Sequence, residues 1–315
     1  MVSKDTFTLS PSIDMQTAAT TPWDIVVVGA GPAGTAMAAR AATKKLRVLF
    51  IDRSPLPRPK VCGCCLSPLA LAELSNLSKE TIPQFTVSTL SLTDLTIVSQ
   101  GYCASVPYAT GGVLSRISLD TCLAKHAIAA NAAWLPNTRA VSCKVDQVTV
   151  TLTVQTTSQS QHAIQTKRLI LAGGLRDAIR MQGDSAVHRP PRNWPRNNRI
   201  GLGTTLCSTG GAISERHLVM AVGSAGYCGL VRLEDGSIDV AAAVHPSLLK
   251  RGATPAEALS RLLAETFQDV ECPIDTSLLQ GSGLLATPQL THHTGHVDPQ
   301  CTRILRVGDA VGYIE

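Results

Sequence analysis

Asp24-Ile25-Val26-Val27-Val28-Gly29-Ala30-Gly31-Pro32-Ala33-Gly34 is the stretch on which the fold turns. Its first five residues form a short β-branched run, the composition of a strand buried on both faces, and the run stops at a glycine. Residues 35–42 are dominated by Ala and favour a helix, and residues 47–51 form a second apolar run that ends on Asp52. Strand, tight turn, helix and strand within about 30 residues make one βαβ unit. Gly29, Gly31 and Gly34 satisfy G-x-G-x-x-G where strand passes into helix, the context that gives the motif its meaning. The first glycine permits the turn, the second lets the backbone approach a pyrophosphate, and the third lets helix pack on strand. The helix N-terminus offers free N–H groups and partial positive charge to phosphate. Asp52 lies 18 residues after Gly34, near the spacing of about 20 for an acid that binds adenosine ribose hydroxyls. These residues leave FAD and NAD both open.

Working outward, 315 residues with 44% apolar and 16% charged side chains exclude global disorder and favour a large α/β body. Aromatics at 3% argue against a stacking platform for single-stranded nucleic acid. The net charge of +5 is concentrated in 167–199, where eight basic residues oppose Asp177 and Asp184. No general field for nucleic acid or a membrane is expected, so neither is a predicted partner, although peripheral membrane contact is left open. Ten cysteines without a regular framework point to a reducing, cytoplasmic setting. No uninterrupted apolar run of about 18 residues exists to span a bilayer. Residues 1–22 read as a flexible tail.

Farther along, Pro55, Pro57, Pro59 and Pro68 make 53–68 a long positioned loop. Residues 84–108 alternate weakly like strands, Ser118 opens a helix toward Ala130, and 139–155 and 168–172 read as strands. Residues 188–199 read as a crossing between subdomains. Runs at 200–206, 217–222, 227–233 and 238–244 suit an antiparallel sheet, with Glu234-Asp235-Gly236 as a turn. Thr254 and Glu257 form a capping box for a helix through Phe267. Residues 303–307 return as a strand ending in Gly308-Asp309-Ala310.

In order, Val28 to Gly34, Arg58-Pro59-Lys60-Val61-Cys62-Gly63 with Leu66-Ser67-Pro68, Ser115-Arg116-Ile117-Ser118-Leu119-Asp120, and Val307-Gly308-Asp309-Ala310-Val311-Gly312 resemble the FAD-dependent oxidoreductases that include geranylgeranyl reductases and aromatic-hydroxylase-type flavin monooxygenases. The resemblance covers residues 23–315. It implies a Rossmann-like, glutathione-reductase-type FAD-binding domain assembled from 23–83, 102–180 and 284–315. A mainly antiparallel β substrate domain, 84–101 with 181–283, is inserted into it. It implies FAD as cofactor, with NAD(P)H as a candidate donor and a small organic molecule as substrate. By the same resemblance, Gly308 and Asp309 hold the flavin-side ribitol or pyrophosphate region and Arg116 lies near the FAD. The 60–63 loop passes close to the isoalloxazine, and Arg53, Arg58, Cys62 and Gly63 belong with the cofactor-binding set. Ala172-Gly173-Gly174 stands where many hydroxylases carry Asp-Gly, which favours reductase over monooxygenase. The chain stops six residues beyond Asp309, so a cradle ended early is expected, and a non-catalytic dinucleotide-binding fragment is the rival from another class.

Cys62 is the candidate catalytic side chain, because a thiol near a flavin can carry a proton or position substrate. Cys64 and Cys65 read as small buried fillers, and Cys62, Cys64 and Cys65 lack the second ligand pair of a zinc site. His292, His293 and His296 read as solvated loop histidines, and no metal is predicted. Arg189, Arg192, Arg196 and Arg199 read as a solvated linker face. No nucleophile elbow, Walker loop or zinc-protease helix is present. The expected activity is a flavin oxidoreductase of the geranylgeranyl-reductase kind.

Overall fold

The structure, a computed structural model, describes residues 8–81, 89–108, 111–176, 179–181, 198–207, 213–293 and 302–315. The predicted βαβ unit is present as the strand Trp23–Val28, the helix Pro32–Thr43 and the strand Val48–Ile51. These two strands pair in parallel, and Ala133–Leu135 continues the parallel set beyond Val48–Ile51. On the other side of Trp23–Val28 lies the long strand Gln161–Leu171. Its first half pairs antiparallel with Val150–Thr156, and its second half is parallel to Trp23–Val28 and Ile304–Arg306. Sequence reading finds only the apolar second half, since Gln161, Gln165 and Lys167 mask the first.

Alternate side chains of this first sheet enter two cores, as strand pleating requires. Ile25, Val27, Val48, Phe50 and Ile170 face the helices Pro32–Thr43 and Arg116–Ala129, while Val26, Leu49, Ile51, Leu169 and Leu171 face the opposite side. Phe50 stacks on Trp134 with ring centroids 4.8 Å apart. Small Ala38, Ala39, Ala124 and Ala127 let the two helices approach.

The second sheet runs, in spatial order, Leu285–Gln289, Ile200–Leu206, Ile238–Val244, Gly226–Arg232, His217–Gly223, Asp94–Ser99 and Tyr102–Pro107. Every neighbouring pair is antiparallel except His217–Gly223 with Asp94–Ser99. The helix Pro255–Phe267, begun by the predicted capping box, covers one face through Leu259, Leu262, Leu263 and Phe267. The Gln100-Gly101 turn, both residues at positive φ, folds 102–107 back on this sheet, and 285–289 joins its far edge. Strand pairing thus carries the second sheet past the expected boundaries at 101 and 283.

Two expectations are corrected and one helix is added. Residues 8–22 are not a loose tail: Leu9 and Ala18 are buried, Asp14 caps the short helix Met15–Thr20, and the Trp23 indole N–H donates to the Ala18 carbonyl. Residues Pro68–Thr81 form a helix that directly follows the proline loop. His292–His293 pairs with Gly312–Tyr313 instead of lying in a loop. His296 and Arg189, Arg192 and Arg196 lie outside the described residues, as does most of the 188–199 crossing.

Candidate functional site

The three glycines differ sharply in surroundings. A Cβ on Gly29, whose φ is +113°, would stand 2.2 Å from the Ala172 carbonyl oxygen, and one on Gly34 would stand 1.9 Å from the Gly29 carbonyl oxygen. Strand, turn and helix therefore touch backbone to backbone. At Gly31 the nearest atom to such a Cβ is the Arg116 guanidinium at 3.9 Å, so this glycine opens onto free space. That space is a cavity of about 530 Å³ lined by Gly29, Gly31, Asp52, Arg53, Arg58, Arg116, Gly308 and Asp309. The structure thus brings together most of the predicted cofactor-binding residues. Gly308 reaches the site at φ +62°, and a Cβ there would lie 2.7 Å from that of Ala33 in the first turn of the dinucleotide helix. A smaller cavity of about 100 Å³ adjoins Asp52 and Arg53 beside Thr138 and Arg139.

Asp52 is more heavily engaged than its sequence position implies. It accepts from the Ala30 N–H at 2.9 Å and the Ser54 N–H at 3.0 Å, and both terminal nitrogens of Arg58 reach it, at 2.5 and 2.8 Å. Those four donors occupy the roughly four acceptor positions of a carboxylate, so a ribose hydroxyl must displace Arg58 to reach it. Burial disfavours the ionised Asp52, but the Arg58 bond and charge and the two backbone N–H groups outweigh it and hold the carboxyl below its usual range. Arg116 makes a bidentate pair with the fully buried Asp120 one helical turn on, at 2.8 and 2.9 Å. Burial alone would lower Arg116, and the Asp120 pairing keeps it charged. Lys60 also lines the cavity, and burial together with the Arg58 charge lowers its affinity for a proton. With Arg58 answered by Asp52 and Arg116 by Asp120, Arg53 and Lys60 are the basic side chains of the cavity left to meet an anionic ligand.

The sequence pattern of the pyridine nucleotide-disulphide oxidoreductases matches residues 23–241. The chain belongs to the pyridine nucleotide-disulphide oxidoreductase family. A 54-residue segment of this oxidoreductase is 57% identical to the menaquinone reductase of Mycobacterium tuberculosis and 54% identical to that of Mycolicibacterium smegmatis. Each alignment covers 17% of this chain and 13% of the relative, so the match spans a small part of those proteins. The fold is shared with the FAD-dependent chondrochloren halogenase CndH at a TM-score of 0.70 and 16% identity, covering 93% of this chain and 69% of that one. It is shared too with a geranylgeranyl bacteriochlorophyll reductase-like protein of Thermoplasma acidophilum, at a TM-score of 0.68 and 18% identity over 92% and 71%. The p-nitrophenol 4-monooxygenase of Pseudomonas putida follows at 0.67 and 14%, over 93% and 74%. The α/β architecture and the flavoprotein oxidoreductase superfamily read from the ordered motifs therefore hold.

In the oxidoreductase, Cys62 and Gly63 do not line the cavity; Val61 does, and its Cγ1 would lie 3.2 Å from a Cβ on Gly203 of the second sheet. The Cys62 side chain turns away from the cavity into a small core with Cys64, Leu92, Val113 and Val231. The hydrogen bond from Cys64, working against burial and aided by the Arg116 charge, holds the Cys62 thiol below the usual range, while the same bond and burial push Cys64 up. Two carboxylates of the region escaped the sequence reading. Glu234, read only as part of a turn, accepts from the Ser115 N–H and from the hydroxyls of Ser115 and Ser118, tying the second sheet to the start of the Arg116–Ala129 helix. Asp239, inside an apolar strand, lies against the cysteines, and burial followed by the Cys62 charge pushes it up to about 8. An acid at an inward position of an apolar strand was the available signal. Among the described residues, no helix is long and apolar enough to cross a membrane, and no three His, Cys, Asp or Glu side chains are arranged to hold a metal.

Proposed function

We propose that the chain binds FAD in the 530 Å³ cavity and serves the reduction of a carbon–carbon double bond in an isoprenoid-bearing substrate of the menaquinone type, with NAD(P)H as donor. The observation that carries this reading is the convergence of Gly29, Gly31, Arg116, Gly308 and Asp309 on one basic cavity at the ends of the parallel strands. The site fits the group: Gly31 leaves room where a diphosphate needs close backbone approach, and the N-terminus of Pro32–Thr43 supplies unpaired N–H groups. When bound, FAD supplies hydride transfer to an organic molecule. Under this reading Arg53 and Arg58 flank the adenosine end with Asp52. Asp309 meets the flavin side, Arg116 bears on the region between, and Cys62 and Gly63 support the loop beside the ring. To carry a proton, the Cys62 side chain would have to swing out of the small core toward the cavity.

Support for an isoprenoid-bearing substrate comes from the menaquinone reductase relatives. Gly203, Ala241 and Gly229 are cross-strand neighbours on one face, continued by Met220, Ile97 and Ala104 to the exposed edge. Val61 packs down onto this row, its Cγ1 3.2 Å from where a Cβ on Gly203 would stand, so the small residues there seat the proline loop on the second sheet. The division into a FAD-binding domain and an inserted substrate domain belongs to the same proposal.

The test is the visible absorbance of the purified chain after FAD addition and desalting, then anaerobic incubation with NAD(P)H and a polyprenyl quinone. Retained flavin bands and a product heavier by two hydrogens are expected. A chain that never retains FAD overturns the reading, and oxygen incorporation in air without saturation assigns it instead to the monooxygenase chemistry of the structurally similar p-nitrophenol 4-monooxygenase. Unchanged turnover in Cys62→Ala removes Cys62 from the mechanism.

A further inference from the structure

Arg58 holds, at the wall of the large cavity, the carboxylate that a ribose would need. Asp52 lines both cavities, whereas Arg58 lines only the larger one, together with Gly31, Pro32 and Arg116. The guanidinium meets Asp52 end to end, one terminal nitrogen on each carboxylate oxygen, at 2.5 and 2.8 Å. A forked pair of this kind fixes both groups more firmly than a single bond does. The other two donors to Asp52 are backbone N–H groups, at Ala30 in the glycine turn and at Ser54 in the loop. Only the Arg58 side chain can therefore withdraw while the backbone stays in place. Away from Asp52 this side chain is weakly engaged. Its Nε is buried and has no partner among the described residues, and its bond to the Ser54 carbonyl is long, 3.5 Å. A buried N–H without an acceptor is costly. The positive charge of Arg58 also lowers the proton affinity of neighbouring Lys60, after burial, so a like charge stands close by. A guanidinium with an unsatisfied N–H thus borders open space, while the acceptor positions beneath it are already taken.

We propose that Arg58 is a specificity gate: it keeps the Asp52 carboxylate closed to a ribose until an adenosine ligand that carries its own phosphates draws the guanidinium away. The inference rests on the reading of the large cavity as a nucleotide site and adds the class of ligand that this site admits. Adenosine alone sets two neutral hydroxyls against a charged fork and leaves the displaced Arg58 without an anion. A ligand with phosphates on the same ribose brings that anion with it. Arg58 then exchanges one anion for another and its Nε gains an acceptor, while Asp52 exchanges a guanidinium for two hydroxyls. Neither charge is left buried and alone, which is the costly outcome of breaking such a pair. The apparent affinity of a ligand falls with the fraction of chains in which its site is open. That penalty bears fully on adenosine and only in part on its phosphate esters.

The test uses the full chain freed of nucleotide and reads binding by calorimetric titration with two probes, adenosine and ADP. Wild type is expected to bind ADP at least about a hundredfold more tightly than adenosine. In Arg58→Leu adenosine should tighten at least about tenfold, because Asp52 is left with open acceptor positions, while ADP weakens, so the preference shrinks from both sides. Arg58→Lys puts a single ammonium in place of the fork. There adenosine should again tighten, with ADP within about threefold of wild type. Adenosine binding that is unchanged or weaker in either variant, once folded, overturns the gate, since a side chain that only braces the loop or only attracts phosphate cannot strengthen a neutral ligand by leaving. ADP that binds wild type no better than adenosine overturns it as well. Wild type that binds neither probe overturns the nucleotide reading itself, a result distinct from the other two. Far-ultraviolet circular dichroism and melting curves establish which variants are folded, and Arg58→Lys decides the question alone where Arg58→Leu is not.

Discussion

Replacing Gly34 and Gly31 in turn with alanine should separate folding from binding within one motif. In Gly34→Ala the new Cβ would sit 1.9 Å from the Gly29 carbonyl oxygen, against a floor of 3.0 Å for real contacts, so helix and turn must part by about 1 Å. The obstructing atom is backbone and cannot swing aside. Overpacking of this kind costs up to about 3 kcal/mol, and a helix interior returns about 1 kcal/mol on changing Gly to Ala. The net loss of about 2 kcal/mol lowers the melting temperature by about 3 °C at this chain length. Gly31→Ala has its nearest neighbour at 3.9 Å and a φ of −84°, so neither contact nor conformation opposes the methyl group. Its stability should stay within about 1 kcal/mol of wild type, the scale of an N-cap change. Its methyl group, however, projects where a diphosphate needs the bare backbone, so FAD affinity should fall at least about tenfold. Thermal denaturation and flavin-fluorescence titration of both variants read the two quantities. Gly31→Ala with wild-type FAD affinity refutes the diphosphate assignment, and Gly34→Ala with a wild-type melting temperature refutes the packing argument.

Arg58→Leu leaves the Asp52 carboxylate buried with half its donors gone, and breaking such a pair costs about 3 kcal/mol. Because the folded Asp52 titrates below its unfolded value, its stabilisation is present above about pH 4 and is lost as pH falls through the lower folded value. The variant should lack that contribution, so its deficit against wild type should be largest above about pH 4 and shrink as pH falls, which melting curves across acid pH will show or refute. Asp239 has the opposite sign: with a folded value of about 8, its contribution is full below about pH 4 and is lost as pH rises through about 8. Asp239→Asn should match wild type in stability at acid pH and exceed it increasingly toward pH 8; a constant offset would contradict the burial argument. Ser115→Ala removes an N-cap whose hydroxyl bonds both the Ser118 N–H and Glu234, and should cost about 1–2 kcal/mol in chemical denaturation.

The parts of the fold legible in sequence are those where local pattern and tertiary role agree. The strand-to-helix glycine motif, the strands Ile200–Leu206 and Ile238–Val244, and the Thr254 capping box each carry their own period or cap. Legibility fails where a distant partner decides. The polar half of Gln161–Leu171 is a strand because Val150–Thr156 pairs with it, and residues 8–22 are ordered because Leu9 and Ala18 find pockets beside strands far along the chain. At the site, Gly29, Gly31, Arg116 and Asp309 were readable, because motif chemistry names them. The saturation of Asp52 by Arg58 was not, since it depends on how the proline loop folds back across six residues. Asp239 was hidden for a similar reason: its neighbours Cys62 and Cys64 belong to another sheet's connection.

Glu234 also decides which of two anion sites the cleft can offer. The helices Pro32–Thr43 and Arg116–Ala129 both begin at the cleft, and each presents the positive end of a peptide dipole. At the second helix that end is already answered by the protein's own carboxylate, delivered from the opposite sheet through Ser115 and Ser118. Glu234 thus works as a permanent internal counter-ion. A diphosphate entering the cleft meets one receptive helix, the glycine-led one, and its direction along the cleft is set before any side chain grips it.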